Sequence, residues 1–395
     1  MNGFYDTVIS KIFNFKPIVI LAKNRNLLEI NLDELKIPIT AAINITALNF
    51  SYSCKQHSHI HCRCRNPCSI ILRHSYYMMK YQQYNSSWNH IKINSYCNTF
   101  KKMQMIQKRA EGENMKDRHV IEALGKTEVV IENGEVVSVG EPLVEYCPIF
   151  DKIDNAKELN KDFIKWNIEK RIREFGMCTA ERIVKMPDMM SFGISEILKT
   201  NKELGLIDCV VGVCEGVGTL LITDPEIIQG VGGRVSGLVS TTPIPEVIEK
   251  VGAENVINPK TAELNPVKGL EMAIEKGFKD IAITILPSKE IAELREYPLP
   301  EDVNIYLFVA HTTNATDDEV ETAFKNADVI TACASGKVRD YAEKEKVYYS
   351  GSKVPIFAIT PKGREFLDNR LEKIGKASTI NDYPLDLEKH PNPLI

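Results

Sequence analysis

The chain predicts an α/β fold: a mainly parallel sheet with flanking helices, preceded by a small β-hairpin and a helical subregion. Three observations carry this. Strand-like and helix-like stretches alternate from Ile207 onward, the pattern that crossover connections of a parallel sheet produce. An Asn133-Gly134 pair separates two alternating apolar runs, the strongest short-range hairpin signal. Composition changes at Met115: residues 1–114 hold 15 Lys+Arg against 6 Asp+Glu, leaving a surplus of acid in the rest of the 395-residue chain.

Residues 1–114 are expected to be a non-native or disordered upstream extension, as if translated ahead of a start at Met115. No acidic residue occurs between Leu35 and Ala110, and Asn, Ser, Tyr, His and Cys crowd there without periodicity. His57, His59, His61, Cys62, Cys64 and Cys68 are soft ligands, but a zinc module needs two separated ligand pairs and an apolar frame, and neither is evident. The basic residues are too sparse and unclustered for a nucleic-acid arm, so no nucleic-acid partner is expected.

Residues 115–206 are expected to form a β-hairpin plus a helical subdomain. Glu128–Glu132 and Glu135–Val139 are its strands; a helix follows over Ala156–Phe175, with Gly176 as a left-handed stop, and another over Gly193–Leu204. Residues 207–378 are expected to be the α/β ligand-binding domain. Its strands are Ile207–Val213, Asp280–Leu286, Val303–Ala310, Asp328–Cys333 and Val354–Thr360, with a short partner at Leu220–Thr223. Its helices are Pro245–Val251, Pro266–Lys276, a run to Asn326 opened by the Thr316/Glu319 capping box, Lys337–Glu345 and Lys362–Ile374. Residues 379–395, polar and Pro-containing, read as an extended C-terminal tail. No stretch approaches the roughly eighteen apolar residues of a membrane helix, so a cytoplasmic protein with no membrane partner is expected. Dispersed Cys147, Cys178, Cys209, Cys214 and Cys333 suit reduced thiols.

Ligands of an open parallel sheet bind beyond the carboxyl ends of its strands, where helix N-termini also point their amides. That rule selects Pro287–Lys289, His311–Asn314, Cys333–Lys337 and Thr360–Lys362. In the third loop, Ser335 and Gly336 open a helix beside Lys337 and would hold a phosphate or carboxylate; the plain alternative is a serine cap and a solvated lysine. A second constellation is Gly230, Gly232, Gly233, Arg234, Ser236 and Gly237, running on to Thr241 and Thr242. Its glycines allow close approach and positive φ, and its arginine offers a fork for an oxyanion. It is neither a dinucleotide fingerprint nor a P-loop. His311, just past a strand end, is a candidate acid or base with Glu215 as its carboxylate, and Cys333 is a third catalytic candidate. Cys178, Cys214 and Cys333 are the thiols favoured for a metal, against the common role of cysteine as a small buried residue.

Cys147-Pro-Ile-Phe-Asp, Gly176-Met-Cys-Thr-Ala-Glu-Arg, Asp208-Cys-Val-Val-Gly-Val-Cys-Glu-Gly, Gly232-Gly-Arg-Val-Ser-Gly-Leu-Val-Ser-Thr-Thr-Pro and Ala332-Cys-Ala-Ser stand in this sequence. On these strings the stretch from Met115 to Ile395 resembles the methanogenesis marker protein 8 family. The resemblance implies an archaeal cytoplasmic protein linked to methanogenesis, in maturation or support of its enzymes or cofactors. It implies no reaction and no catalytic residue, and whether the chain is an enzyme stays open. The leading expectation is binding of an anionic metabolite or cofactor, its identity unknown, at the strand-end edge. The alternatives are a non-catalytic assembly factor for a methanogenic enzyme partner, or an Fe–S or metal carrier using the five cysteines.

Overall fold

The computed structural model describes residues 18–23, 26–31, 117–234, 237–378, 381–386 and 390–395. The chain divides into two compact units, Met1–Asn114 and Met115–Ile395. The first contains an antiparallel pair, β1 (Ile18–Lys23) and β2 (Asn26–Asn31). The histidine and cysteine cluster between His57 and Cys68 lies outside the described residues, as do Met115 and Ser236.

The second unit opens with β3 (Arg118–Glu122), β4 (Glu128–Glu132) and β5 (Glu135–Val139). Asn133 (φ 52°) and Gly134 (φ 78°) make the tight turn between β4 and β5. A helix not expected from the sequence, α1 (Pro148–Asp154), is begun by a proline, and the helix expected over Ala156–Phe175 starts later, as α2 (Lys161–Phe175), capped by the Asn160 side chain. Gly176 closes α2 at φ 71°, and a Cβ there would lie 2.4 Å from the Glu181 carbonyl carbon, so glycine is required on both counts. Next come α3 (Ile194–Glu203), β6 (Cys209–Cys214), β7 (Gly218–Ile222) and α4 (Pro225–Val231). Then β8 (Gly237–Thr241) returns to the small sheet, giving an antiparallel order β5-β4-β3-β8.

The larger sheet is completed by α5 (Pro245–Val251), α6 (Pro266–Glu275), β9 (Asp280–Ile285), α7 (Glu290–Arg295), β10 (Asn304–Val309) and α8 (Asp317–Asn326). After these come β11 (Val329–Thr331), α9 (Gly336–Lys344), β12 (Tyr348–Ser350), β13 (Ile356–Ala358) and α10 (Pro361–Lys373). Its order is β12-β13-β11-β10-β9-β6-β7. Only the centre is parallel, at β6/β9, β9/β10 and β10/β11; the β6/β7, β11/β13 and β12/β13 pairings are antiparallel. The expectation of a mainly parallel sheet therefore holds for the centre alone. The reason is connection length: three residues join β6 to β7 and five join β12 to β13, too few for a crossover and enough for a hairpin.

Alternate residues of the central strands feed two cores on opposite faces, as the two-residue period of a strand demands. Val210, Ala282, Tyr306 and Phe308 face one with Phe366, while Val211, Ile283, Leu307 and Ile330 face the other. Fully buried Phe308, Phe357 and Phe366 each contribute about 1.5–3 kcal/mol of burial energy. A third core lies under the small sheet: Ile121, Val129 and Ile131 meet Ile164 and Ile168 of α2, together with Cys178, Leu238 and Ala334. Val213 and Ile395 pack on its margin. The small sheet and α2 thus share a core with residues from the strand ends of the large sheet, and this positions the candidate site.

Candidate functional site

At the end of β10, His311 takes a left-handed conformation (φ 59°). Its Nε2 lies 3.1 Å from Oε2 of Glu122, the last residue of β3. Contact with His311 holds the Glu122 carboxyl below its usual range. Gly237 pairs with Glu122 in the β3/β8 ladder. A Cβ on Gly237 would sit 3.1 Å from His311 Cδ2 and 3.2 Å from Glu122 Cβ, so a bare backbone is what lets the two side chains meet.

Glu215, expected beside His311, is engaged elsewhere. Its Oε1 accepts from Arg182 Nε at 2.5 Å, and both side chains are fully buried. Arg182 also donates to the carbonyls of Ile183 (2.6 Å) and Gly230 (2.7 Å), and its guanidinium lies over the Phe175 ring. Buried Cys178 and Cys214 neighbour this pair; burial and the Glu215 charge push both thiols well up, which keeps them protonated. Cys209 faces the opposite core and is raised to about 12 by burial. Cys147 is also raised by burial and feels the charge of Cys333. The favoured trio of Cys178, Cys214 and Cys333 is therefore split between two neighbourhoods, and among the described residues no three His, Cys, Asp or Glu side chains gather as metal ligands.

The turn after β11 has been taken by the chain itself. Ser335 is fully buried and caps α9 by accepting from Val338 N at 3.3 Å. Gly336 N donates to the main-chain oxygen of Ile395 (3.0 Å), and Ile395 N donates back to Ala334 (2.9 Å). Lys337 faces Asp317 at 3.3 Å. Buried Arg339 donates to the carbonyls of Ala332, Cys333 and Ser335 and to His390 Nδ1, fixing Cys333 at φ 40°. The helix N–H group that was expected to meet an anion already has an acceptor.

The glycine turn is different. Among its described residues Gly230, Gly232, Gly233 and Gly237, none has positive φ. Their role is close approach, clearest at Gly230, where a Cβ would fall 1.9 Å from Val184 O. The hydroxyls downstream bind β8 to β3 and to the turn after β6: Thr241 Oγ1 lies 2.6 Å from His119 Nδ1 and accepts from Gly216 N, while Thr242 Oγ1 donates to Asp117. Arg234 is half-buried; among the described residues it donates to Pro187 O (3.1 Å) and Met186 Sδ (3.3 Å), and it feels the charge of Glu196 without an ion-pair contact to it.

Arg171 of α2, which no motif singled out, completes this corner. It is 9% exposed, stacks over Phe150 and donates from Nη1 to Arg234 O at 3.1 Å. Burial pushes its pKa down to about 10, and the charges of Arg234 and Arg182 add to the push. The carboxylate that acts most on it, Asp154, is bound to Lys170 at 2.6 Å. Among the described residues no carboxylate lies within ion-pair distance of Arg171 or Arg234. Both turns border α1: Phe150 carries Arg171, and Cys147, three residues earlier and about 4.5 Å along the helix axis, neighbours Cys333.

Among the described residues no helix is long and apolar enough to cross a membrane. Residues 119–372 match the family described as "Uncharacterized protein conserved in archaea (DUF2099)". "Uncharacterized protein MJ0054" of Methanocaldococcus jannaschii is 40% identical over 283 residues, covering 71% of this chain and 100% of its own length. The family match begins in β3 and runs almost to the end of α10, taking in Glu122, Arg171, Arg182, Arg234 and His311, so that by this span and that relative the chain belongs to the archaeal DUF2099 family.

Proposed function

We propose that this protein binds a small anionic metabolite or cofactor at the corner formed by Arg171 and Arg234, beside the strand ends of the large sheet. The observation that carries the reading is the pair of guanidiniums: one more than nine-tenths buried, the other half-buried, each without a carboxylate partner among the described residues. A buried charge is costly unless paired, and an anion bridging the two forks would supply the missing charge in the bidentate geometry arginine favours. The resemblance of the motif strings supports reading the role as cytoplasmic in methane-producing archaea, in support of their enzymes or cofactors and without nucleic acid.

The test is thermal unfolding of the protein against phosphate, sulfate and small dicarboxylates, with chloride at matched ionic strength as control. Stabilisation by an oxyanion beyond chloride, reduced in Arg234→Ala and abolished in Arg171→Met, is expected. An oxyanion response no larger than that of chloride, or one untouched by both substitutions, overturns the proposal.

A further inference from the structure

Gln229, on α4, is fully buried, and neither its Oε1 nor its Nε2 has a hydrogen-bond partner. It is the one described side chain whose two polar atoms are both orphaned. His119 and His311 each have a carboxylate at 2.9 and 3.1 Å, and Asn167 still donates to Asp154. Folded proteins leave few buried polar groups unpaired, because each one costs free energy. Two on a single amide call for a reason.

The position supplies one. The neighbouring Gly230 gives its carbonyl to Arg182, and on the other side the Gly232-Gly233 turn leads directly into Arg234. Gln229 Oε1 lies 2.9 Å from where a Cβ on Gly233 would stand, and Ser195 Oγ lies 3.1 Å from the same point. Ser195 donates to Glu196, whose other oxygen accepts from Met189 N and Met190 N, so neither neighbour serves the amide. Past the buried Val231, Gln229 and Arg234 are separated by the Gly232-Gly233 turn, held by Gly232 N to Ile228 O (2.9 Å) and Arg234 N to Val231 O (3.2 Å).

We infer that Gln229 reads an amide: the anion held by Arg171 and Arg234 also carries a primary carboxamide or lactam edge. The carbonyl of that edge accepts from Gln229 Nε2, its N–H donates to Oε1, and the ligand reaches both by displacing the glycine turn. This rests on the anion-binding reading and adds the chemical class of the ligand.

Two acids of nearly the same shape test it in the full-length protein by calorimetric titration, with inorganic phosphate as a separate probe. Succinamate offers a carboxylate and a primary amide; 4-oxopentanoate keeps the carboxylate and the carbonyl but has CH3 in place of NH2. Succinamate should bind about tenfold more tightly, the value of one buried hydrogen bond. Gln229→Met should bring it to the level of 4-oxopentanoate without lowering the ligand-free melting temperature, since an apolar isostere removes two orphaned atoms. Equal affinities in the wild type, a preference that survives Gln229→Met, or a marked loss of ligand-free stability in that variant overturns the inference. The wild-type comparison needs no variant to fold. Phosphate binding with no preference between the acids defeats this inference alone, whereas no binding of phosphate or either acid defeats the anion site as well.

Discussion

Two turns of this molecule advertise an anion site in their sequence, and they have opposite fates. At Cys333–Lys337 a serine, a glycine and a lysine open α9, yet the serine is a buried cap and the glycine N–H is taken by Ile395. At Gly230–Arg234 the glycines serve packing, but two guanidiniums have no carboxylate at ion-pair distance among the described residues. The first turn has a strong local signature and filled valences; the second has a weaker one and an electrostatic deficit. Vacancy is a tertiary property: it depends on which distant segment arrives, and no spacing of residues within a loop records it.

The contrast can be broken most severely at Arg182, the compensated guanidinium of the glycine corner. Glu215→Ala should cost about 3–5 kcal/mol in denaturant unfolding, because it strands a fully buried cation. A cost below about 1 kcal/mol would mean that burial of a guanidinium here needs no partner, and the deficit at Arg171 would lose its meaning. Deleting Asn392–Ile395 comes next. Asn392 exchanges main-chain hydrogen bonds with Tyr146, and Ile395 bonds to Ala334 and Gly336, so roughly 2–4 kcal/mol should be lost. The freed N–H of Gly336 should then give the shortened protein a new phosphate response that Lys337→Ala removes. No new response would show that the serine turn is closed by more than the tail. Arg171→Met should have a smaller effect still: ligand-free stability within about 1 kcal/mol of wild type, or higher, since an unpaired buried charge is being replaced by an apolar stem. A loss like that of Glu215→Ala would reveal a hidden partner.

Where the physics is local, the residues were readable in advance. The Thr316/Glu319 box caps α8, Asn133-Gly134 turns β4 into β5, and Gly176 ends α2. The helix at Pro245–Val251 lies where its proline and apolar spacing put it. The start of α4 also carried a signal, an Asp224 cap followed by Pro225, which would have placed Gln229 on a helix. β3 and β8 went unassigned: β8 is short, hydroxyl-rich and carries an exposed Val239, so its alternation is faint. The site itself was half legible. The strand-end rule selects His311, and glycine density beside an arginine selects Arg234 and its glycines, while Glu122, Arg171 and Arg182 belong to other elements. A charged residue on an amphipathic helix ordinarily reads as its solvated face, and only packing of α2 beneath the small sheet makes Arg171 a buried charge. The antiparallel edges of the large sheet were lost for a related reason, since alternation identifies a strand but says nothing of its direction.

The smallest expected effect concerns the contact that ties the small sheet to a strand end of the large one. Glu122 is held below its ordinary value of 4.5 chiefly by His311, so the folded state favours the carboxylate. A carboxylate with a depressed folded pKa adds stability that is fully present above its unfolded value and disappears as pH falls through the folded one. The advantage of wild type over Glu122→Gln should therefore be constant near neutrality and shrink toward zero in acid. Because the pair is partly exposed, that advantage should be under about 1 kcal/mol. Denaturant unfolding at a series of pH values between neutrality and acid would read it. An advantage that grows on acidification would mean that the fold does not favour the Glu122 carboxylate, and His311 would not be what holds it.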